Sequence, residues 1–201
     1  EVLKLNSFSK PVNIKLQPVS EVHKEINYIK FEDGKFTKFW FKMKMNEYIS
    51  VVMSVYNEEN YISAAIKSIL NQTYPYFEFI IINDGSTDKS ESLIKSFKDE
   101  RIVYKKIEKV NFSKALNEGL NIAKYNYIAR MDADDISLPD RFEKQIKFIV
   151  ENPDVQVFSS GYALFKNKSI SHIHQLPEND RDIKEQLNYS GSVCHAGSVY
   201  S

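Results

Sequence analysis

Tyr125-Asn126-Tyr127-Ile128-Ala129-Arg130-Met131-Asp132-Ala133-Asp134-Asp135 runs an apolar segment straight into three carboxylates. Tyr125 to Met131 reads as a buried strand. Carboxylates crowded at a strand end repel one another unless a cation sits between them. Hard divalent ions such as Mg²⁺ and Mn²⁺ take oxygen ligands, often one or two carboxylates plus substrate phosphates. In an extended segment alternate residues point the same way, so Asp132 and Asp134 would share one site while Asp135 points elsewhere or marks a turn. The competing reading is a helix start, with an Asp at the N-cap and Pro139-Asp140 opening the helix that follows. A cap needs one Asp, which leaves the other two unexplained.

Outward from this stretch, strand and helix patterns alternate from Tyr48 onward, which predicts a mostly parallel sheet flanked by helices. Strands are expected at Ile49–Val55, Phe77–Ile82, Arg101–Tyr104 and Val155–Phe158. Helical apolar stripes run through Tyr61, Ile62, Ala65, Ile66, Ile69 and Leu70, then Leu93, Ile94 and Phe97. A third joins Phe112, Ala115, Leu116, Gly119, Leu120 and Ala123, and a fourth Phe142, Ile146, Ile149 and Val150. A further helix is expected from Asp180 to Leu187, where Glu178, Asp180, Asp182 and Glu185 read as a solvated helix start.

Residues 1–46 form an N-terminal extension of different character, and 47–201 the α/β domain. Asp33-Gly34 between apolar-rich runs signals a β-hairpin over 27–41, and Pro11 and Pro18 interrupt whatever precedes it. An appended hairpin, a remnant of an upstream domain and an added extension all fit this segment. Lys42 and Lys44 beside Phe39, Trp40 and Phe41 fit a strand with one solvated face, or a contact with a membrane surface.

The 27 basic and 27 acidic residues balance, so no global field favours nucleic acid. A hydrophobic content of 42% places the chain among globular proteins rather than disordered ones. Cys194 is the single cysteine, which excludes an intrachain disulfide framework and fits a reducing, cytoplasmic setting. It reads as a small buried hydrophobe without thiolate activation. No apolar run approaches the roughly 20 residues that span a bilayer. Any membrane association is therefore expected to be peripheral, at the inner face of the plasma membrane.

In open α/β sheets ligands bind beyond the carboxyl ends of the strands. Three polar clusters fall there: Tyr56-Asn57-Glu58-Glu59, Asn83-Asp84-Gly85-Ser86-Thr87-Asp88, and Asp132-Ala133-Asp134-Asp135. Singly, Asn57 and Asp88 read as helix caps and Gly85 as a turn residue. Together on one rim, they predict a site for a nucleoside diphosphate and a divalent ion. No Gly-x-Gly-x-x-Gly or P-loop cradle is present, so the phosphates would need the cation.

From Tyr48 to Gly161 the chain resembles family 2 glycosyltransferases of the GT-A, Rossmann-like fold. The matching words are Ser50-Val51-Val52-Met53-Ser54-Val55-Tyr56-Asn57-Glu58-Glu59, Ser68-Ile69-Leu70-Asn71-Gln72-Thr73-Tyr74 and Ile82-Asn83-Asp84-Gly85-Ser86-Thr87-Asp88. Ala115-Leu116-Asn117-Glu118-Gly119, Ala129-Arg130-Met131-Asp132-Ala133-Asp134-Asp135 and Ser137-Leu138-Pro139-Asp140-Arg141-Phe142-Glu143-Lys144-Gln145 follow in order. The resemblance implies an inverting transferase with a nucleotide-sugar donor, commonly UDP-linked, Mn²⁺ or Mg²⁺, and a glycan or lipid-linked acceptor, in bacterial surface polysaccharide synthesis. By position, Val55, Tyr56, Glu58, Asp84, Arg130, Asp132 and Ala133 would bind the donor. Asp134 would be the main metal ligand, with Asp132 and His195 as auxiliaries. Asn83 departs from the family, which often has Asp there. The general base of the family usually lies in a later acidic motif, so the expectation is a C-terminally truncated chain whose catalytic base falls beyond Ser201. His172 and His174 share a strand face and read as surface residues without partners. The alternatives are a catalytically incomplete nucleotide-sugar-binding domain and a nucleotidyltransferase. The latter would need a glycine- and basic-rich loop where Asn57-Glu58-Glu59 stands.

Overall fold

A computed structural model gives the structure of the protein and describes residues 2–3, 14–15, 25–32, 35–42, 47–166, 169–188 and 194–200. The chain divides into two units, Glu1–Asn46 and Glu47–Ser201. In the first, β1 (Val2–Leu3) pairs antiparallel with β2 (Ile14–Lys15), and β3 (Glu25–Glu32) with β4 (Lys35–Lys42), in register from Glu25↔Lys42 to Glu32↔Lys35. The expected Asp33-Gly34 turn, Pro11, Pro18 and Lys44 lie outside the described residues.

The second unit is built on a six-stranded sheet. At its centre β5 (Ile49–Val55) runs parallel to β6 (Phe77–Asp84) on one side and β8 (Tyr127–Asp132) on the other, with β7 (Ile102–Ile107) parallel beyond β6. Past β8, β12 (Ser198–Tyr200) enters antiparallel and pairs with β9 (Val157–Ser159), which completes a mostly parallel sheet. A separate hairpin, β10 (Tyr162–Lys166) and β11 (Ser169–His174), follows β9. Helices α1 (Ile62–Leu70), α2 (Ser90–Ser96), α3 (Phe112–Ile122), α4 (Arg141–Glu151) and α5 (Asp180–Leu187) alternate with the strands.

Both faces of the central strands are covered, so β5 and β6 are buried along their whole length, as parallel strands require. Alternation sorts their residues. Val51, Met53, Phe79, Ile81 and Met131 join Ile62, Ile66 and Ile69 of α1 and Phe142 and Ile146 of α4 in one core. Val52, Ile80 and Ile82 point the other way, toward Ala115 of α3.

Element limits shift for identifiable reasons. The strand read from Tyr125 starts at Tyr127, because side chains occupy the preceding amides. Lys124 N–H donates to Glu78 Oε1 at 2.7 Å and Tyr125 N–H to Ser50 Oγ at 3.1 Å. Val155 N–H donates to Asn152 O at 3.1 Å, which delays the next strand to Val157. β7 continues to Ile107, beyond the expected Tyr104.

Gly119 lets α3 approach the sheet. A Cβ there would lie 2.5 Å from Val52 Cγ1. Gly119→Ala is therefore expected to destabilise the protein by about 1–2 kcal/mol, as overpacking outweighs a gain in helix propensity of about 1 kcal/mol. Urea unfolding checks this, and a midpoint at or above that of the parent would show that α3 can lift away without cost.

Candidate functional site

The parallel register brings Val55 beside Asn83 and Ser54 beside Asp132, so the loops after β5, β6 and β8 open on the same rim. The first two clasp each other. Asn57, at φ +57°, accepts from Thr87 N–H at 2.9 Å and gives its own N–H to Ser86 Oγ at 3.1 Å. Glu58 N–H reaches Ser90 Oγ at 2.8 Å, and Glu59 N–H reaches Asp88 Oδ2 at 3.0 Å. Asn57 is thus a bridge between loops and not the expected cap of α1, whose N-cap, Tyr61, makes no side-chain bond. Asp88 does accept from Ser90 N–H, at 2.9 Å, where α2 begins.

Asn83 is buried, accepting from Ser86 N–H at 2.9 Å and donating through Nδ2 to Tyr104 Oη at 3.0 Å. An aspartate there could only accept, so the Tyr104 hydroxyl would have to turn and donate instead. Asp84 is buried and accepts from Lys109 Nζ and from Val110 N–H, both at 2.7 Å. Gly85, at φ +69°, admits this approach, since a Cβ there would lie 2.9 Å from Lys109 N. The Lys109 ammonium also stands 3.4 Å from the centroid of the Tyr56 ring, a cation–π contact.

The acidic segment meets by turning rather than by strand alternation. β8 ends at Asp132, the chain turns at Ala133-Asp134, and Asp135 N–H points back at Asp132 O at 3.4 Å. Asp132 gives both carboxylate oxygens to the buried Arg130 guanidinium, one through a 3.1 Å bond from Nη1 and the other through a short one from Nη2. Arg130 lies 4.8 Å over the Phe112 ring, and its Nε is buried without a partner.

Polar side chains hold this turn from behind. Arg141 donates to Arg130 O at 2.8 Å and to Gln145 Oε1 at 3.2 Å. Gln145 donates to Gly197 O at 2.9 Å. Gln72 donates to Leu138 O at 2.7 Å and accepts from Phe142 N–H at 3.1 Å. The family words around Gln72 and Gln145 thereby acquire a structural meaning.

A cavity of about 220 Å³ opens among these loops. Of the residues expected from the sequence, Tyr56, Glu58, Asp84, Asp132, Ala133 and Asp134 line it. Val55 is fully buried beneath it, and Arg130 stands behind Asp132. His195 occupies a short 3-10 turn, His195–Gly197, outside the lining. Burial lowers its pKa, as does the charge of Arg130, while Asp132 raises it, so the imidazole lies near that ion pair. The sequence reading missed Lys109, Phe112 and Ser54, which also line the cavity. The loop after β7 belongs to the same rim by strand order, the one signal that would have pointed to Lys109.

Burial, then the charges of Asp134, Asp88 and Asp132, push the Glu58 carboxyl above its ordinary range. Burial and the charges of Asp132 and Asp134 likewise raise Asp135, with Arg130 and Arg141 opposing. Burial raises the Cys194 thiol, in keeping with an inert residue. His172 and His174 have ring partners after all: His174 stacks on Tyr162 at 4.5 Å, and the two imidazoles meet edge to face at 4.4 Å. Among the described residues no group of three or more His, Cys, Asp or Glu is arranged to hold a metal. The donors present, an exposed Asp134 beside Glu58 and an Arg-bound Asp132, suit an ion that takes most of its shell from phosphates and water. No described helix is long and apolar enough to cross a membrane.

The chain is 44% identical over 128 residues to an uncharacterized glycosyltransferase of Methanocaldococcus jannaschii, a match covering 61% of this chain and 44% of that protein. It is 36% identical over 157 residues to the O-antigen biosynthesis glycosyltransferase WbnJ of Escherichia coli, covering 76% and 61%. It spans about half the length of several curated relatives. Among solved structures, S. aureus TarS superposes with a TM-score of 0.59 at 20% identity, over 76% of this chain and 46% of that one. The mannosyltransferase PcManGT of Pyrobaculum calidifontis, in complex with GDP-Man and Mn²⁺, gives 0.58 at 18% identity, over 78% and 45%. Both likenesses show a shared GT-A-like fold. The profile of glycosyl transferase family 2 matches residues 50–199, and the chain belongs to that family.

Proposed function

We propose that the rim cavity binds a nucleoside-diphosphate sugar, with a UDP-sugar as the expected donor. The chain would serve metal-dependent, inverting transfer of that sugar to a glycan or lipid-linked acceptor in bacterial surface polysaccharide synthesis. The observation that carries this reading is that two unlike clusters of side chains line the cavity. At one, Tyr56 offers an aromatic ring, and Asp84 with Lys109 offers an acceptor beside a donor. Such a pair suits the edge of a base or the hydroxyls of a ribose. At the other, Glu58, Asp132 and Asp134 concentrate negative charge on the same cavity.

A diphosphate can settle against those carboxylates only with a cation between them. A bound Mn²⁺ or Mg²⁺ supplies positive charge that stabilises a diphosphate leaving group. Asp134 is the carboxylate suited to hold it, since Asp132 is engaged by Arg130. Asp132 then anchors the turn and reaches toward the ribose, and His195 stands beside it as a reserve ligand. The complexes of structural neighbours support the reading: TarS has been crystallised with UDP-GlcNAc and PcManGT with GDP-Man and Mn²⁺. A nucleotidyltransferase is disfavoured, because the loop after β5 is acidic where a triphosphate would need basic residues.

Titration calorimetry with UDP and Mn²⁺ tests the metal assignment. Asp134→Ala should abolish Mn²⁺-dependent binding, and unchanged affinity would sink it. Asp132→Asn should weaken binding less, because its first partner is Arg130. UDP should bind at least about tenfold more tightly than GDP, a difference of roughly 1.4 kcal/mol. The reverse preference would reassign the base. Release of UDP from a panel of UDP-sugars, with and without acceptor, separates a transferase from a bare donor-binding domain.

A further inference from the structure

Asp84 lines the donor cavity, yet its side chain is only 1% exposed, because Lys109 lies across it. Lys109 Nζ donates to Oδ2 at 2.7 Å, and Oδ1 takes the Val110 N–H at 2.7 Å. Both carboxylate oxygens are thus engaged. The partner that reaches solvent is the lysine, whose side chain is 45% exposed. Its ammonium also stands 3.4 Å from the centroid of the Tyr56 ring and so holds one face of it. An acceptor and an aromatic face, the two features that the donor reading offers to a base, are therefore both taken up by one residue of the chain itself.

The backbone around Lys109 is tied down. Residues 108–111 alone connect β7 to α3. Val110 is bonded to Asp84, and Asn111 caps α3 by accepting from Lys114 N–H at 2.9 Å. Lys109 N lies so close to Gly85 that a Cβ there would meet it at 2.9 Å. A base that reaches Asp84 must consequently move the Lys109 side chain and not the connection. Partners can be exchanged one for one: an N–H of the base replaces an N–H of the ammonium on Oδ2, stacking replaces the cation on the ring, and water takes the released ammonium. The Val110 N–H stays on Asp84 throughout. We infer that Lys109 is a resident competitor of the nucleobase, a side-chain latch over Asp84 and Tyr56 that base binding displaces. The inference rests on the donor reading and adds to it what limits affinity, because a site open only part of the time binds more weakly by that fraction.

Uridine carries the base without phosphate or metal, so an NMR titration of the whole chain with uridine isolates this part of the cavity. Lys109→Met removes the ammonium, and uridine is then expected to bind at least about threefold more tightly, the factor for releasing one cation–π contact. Lys109→Gln keeps a donor for Asp84, which guards the fold against an unpaired buried carboxylate, and it too should bind uridine more tightly than the parent. In the parent, the ε-methylene protons of Lys109 sit beside the Tyr56 ring and should resonate upfield of ordinary lysine. They should return to ordinary positions as uridine saturates the site, with the Lys109→Gln spectrum giving their assignment. Weaker or unchanged uridine binding in the variants overturns the proposal, and so do Lys109 resonances that keep their ring shift at saturation, which would make Lys109 a fixed contact of the base. If the parent binds UDP with Mn²⁺ while neither variant gains affinity for uridine, the latch alone fails. If the parent and both variants bind neither uridine nor UDP, the donor reading fails and the latch with it.

Discussion

Burial of β5 on both faces is the constraint from which the rest follows. Every residue from Ile49 to Val55 is shielded, and both neighbouring strands run parallel to it. Such a strand can present chemistry only at its ends. At its start, Ser50 Oγ donates to Glu78 Oε1 at 2.7 Å and that oxygen and hydroxyl take up the Lys124 and Tyr125 amides, while Glu78 Oε2 has Lys124 Nζ at 3.6 Å and no hydrogen bond. At its finish the chain is open, and three loops from parallel strands converge there.

An acidic turn placed on that open rim resists its own assembly, since Asp132, Asp134 and Asp135 repel. The protein answers with backbone restraint more than with countercharge. Gln72 and Gln145 are buried amides that each donate to backbone carbonyls while accepting a hydrogen bond in turn. Neutral amides can tie the turn to α1, to α4 and to the 3-10 turn that leads into β12 without adding charge to the site. Besides Arg130, which pairs with Asp132, Arg141 is the exception. Burial lowers its pKa to about 10, which still leaves it protonated at neutral pH, and its charge opposes the repulsion felt by Asp135.

The strand–helix alternation and the convergence of three polar loops were legible from periodicity, because both depend on local residue pattern. The Asp-x-Asp pairing was legible for a different reason than spacing suggested: a turn, not strand alternation, brings Asp132 and Asp134 to one cavity. Lys109 was not legible. It acquires its place through contacts distant in sequence, with Asp84, Tyr56 and the backbone beside Gly85, and no local pattern encodes those. The same holds for Asn57, where a residue type common at caps serves as a bridge between two loops. The antiparallel insertion of β12 between β8 and β9 was hidden too, since three residues carry too little periodicity to announce a strand.

Pairing separates the rim carboxylates into two groups. Asp84 faces Lys109 and Asp132 faces Arg130, while Asp135 lies within the influence of Arg141 and Arg130. Asp84 and Asp132 are paired, whereas the arginines offset only part of what raises Asp135, and losing Asp132 would leave the buried Arg130 guanidinium without its ion-pair partner. Glu58 is in the opposite position. Apart from its burial, the charges that act on it are those of Asp134, Asp88 and Asp132, all of its own sign, and its pKa rises accordingly. Uncompensated negative charge is therefore shared by Glu58 and Asp134. Positive charge brought by a ligand would relieve that repulsion, which is the electrostatic basis of the proposed metal-bound donor.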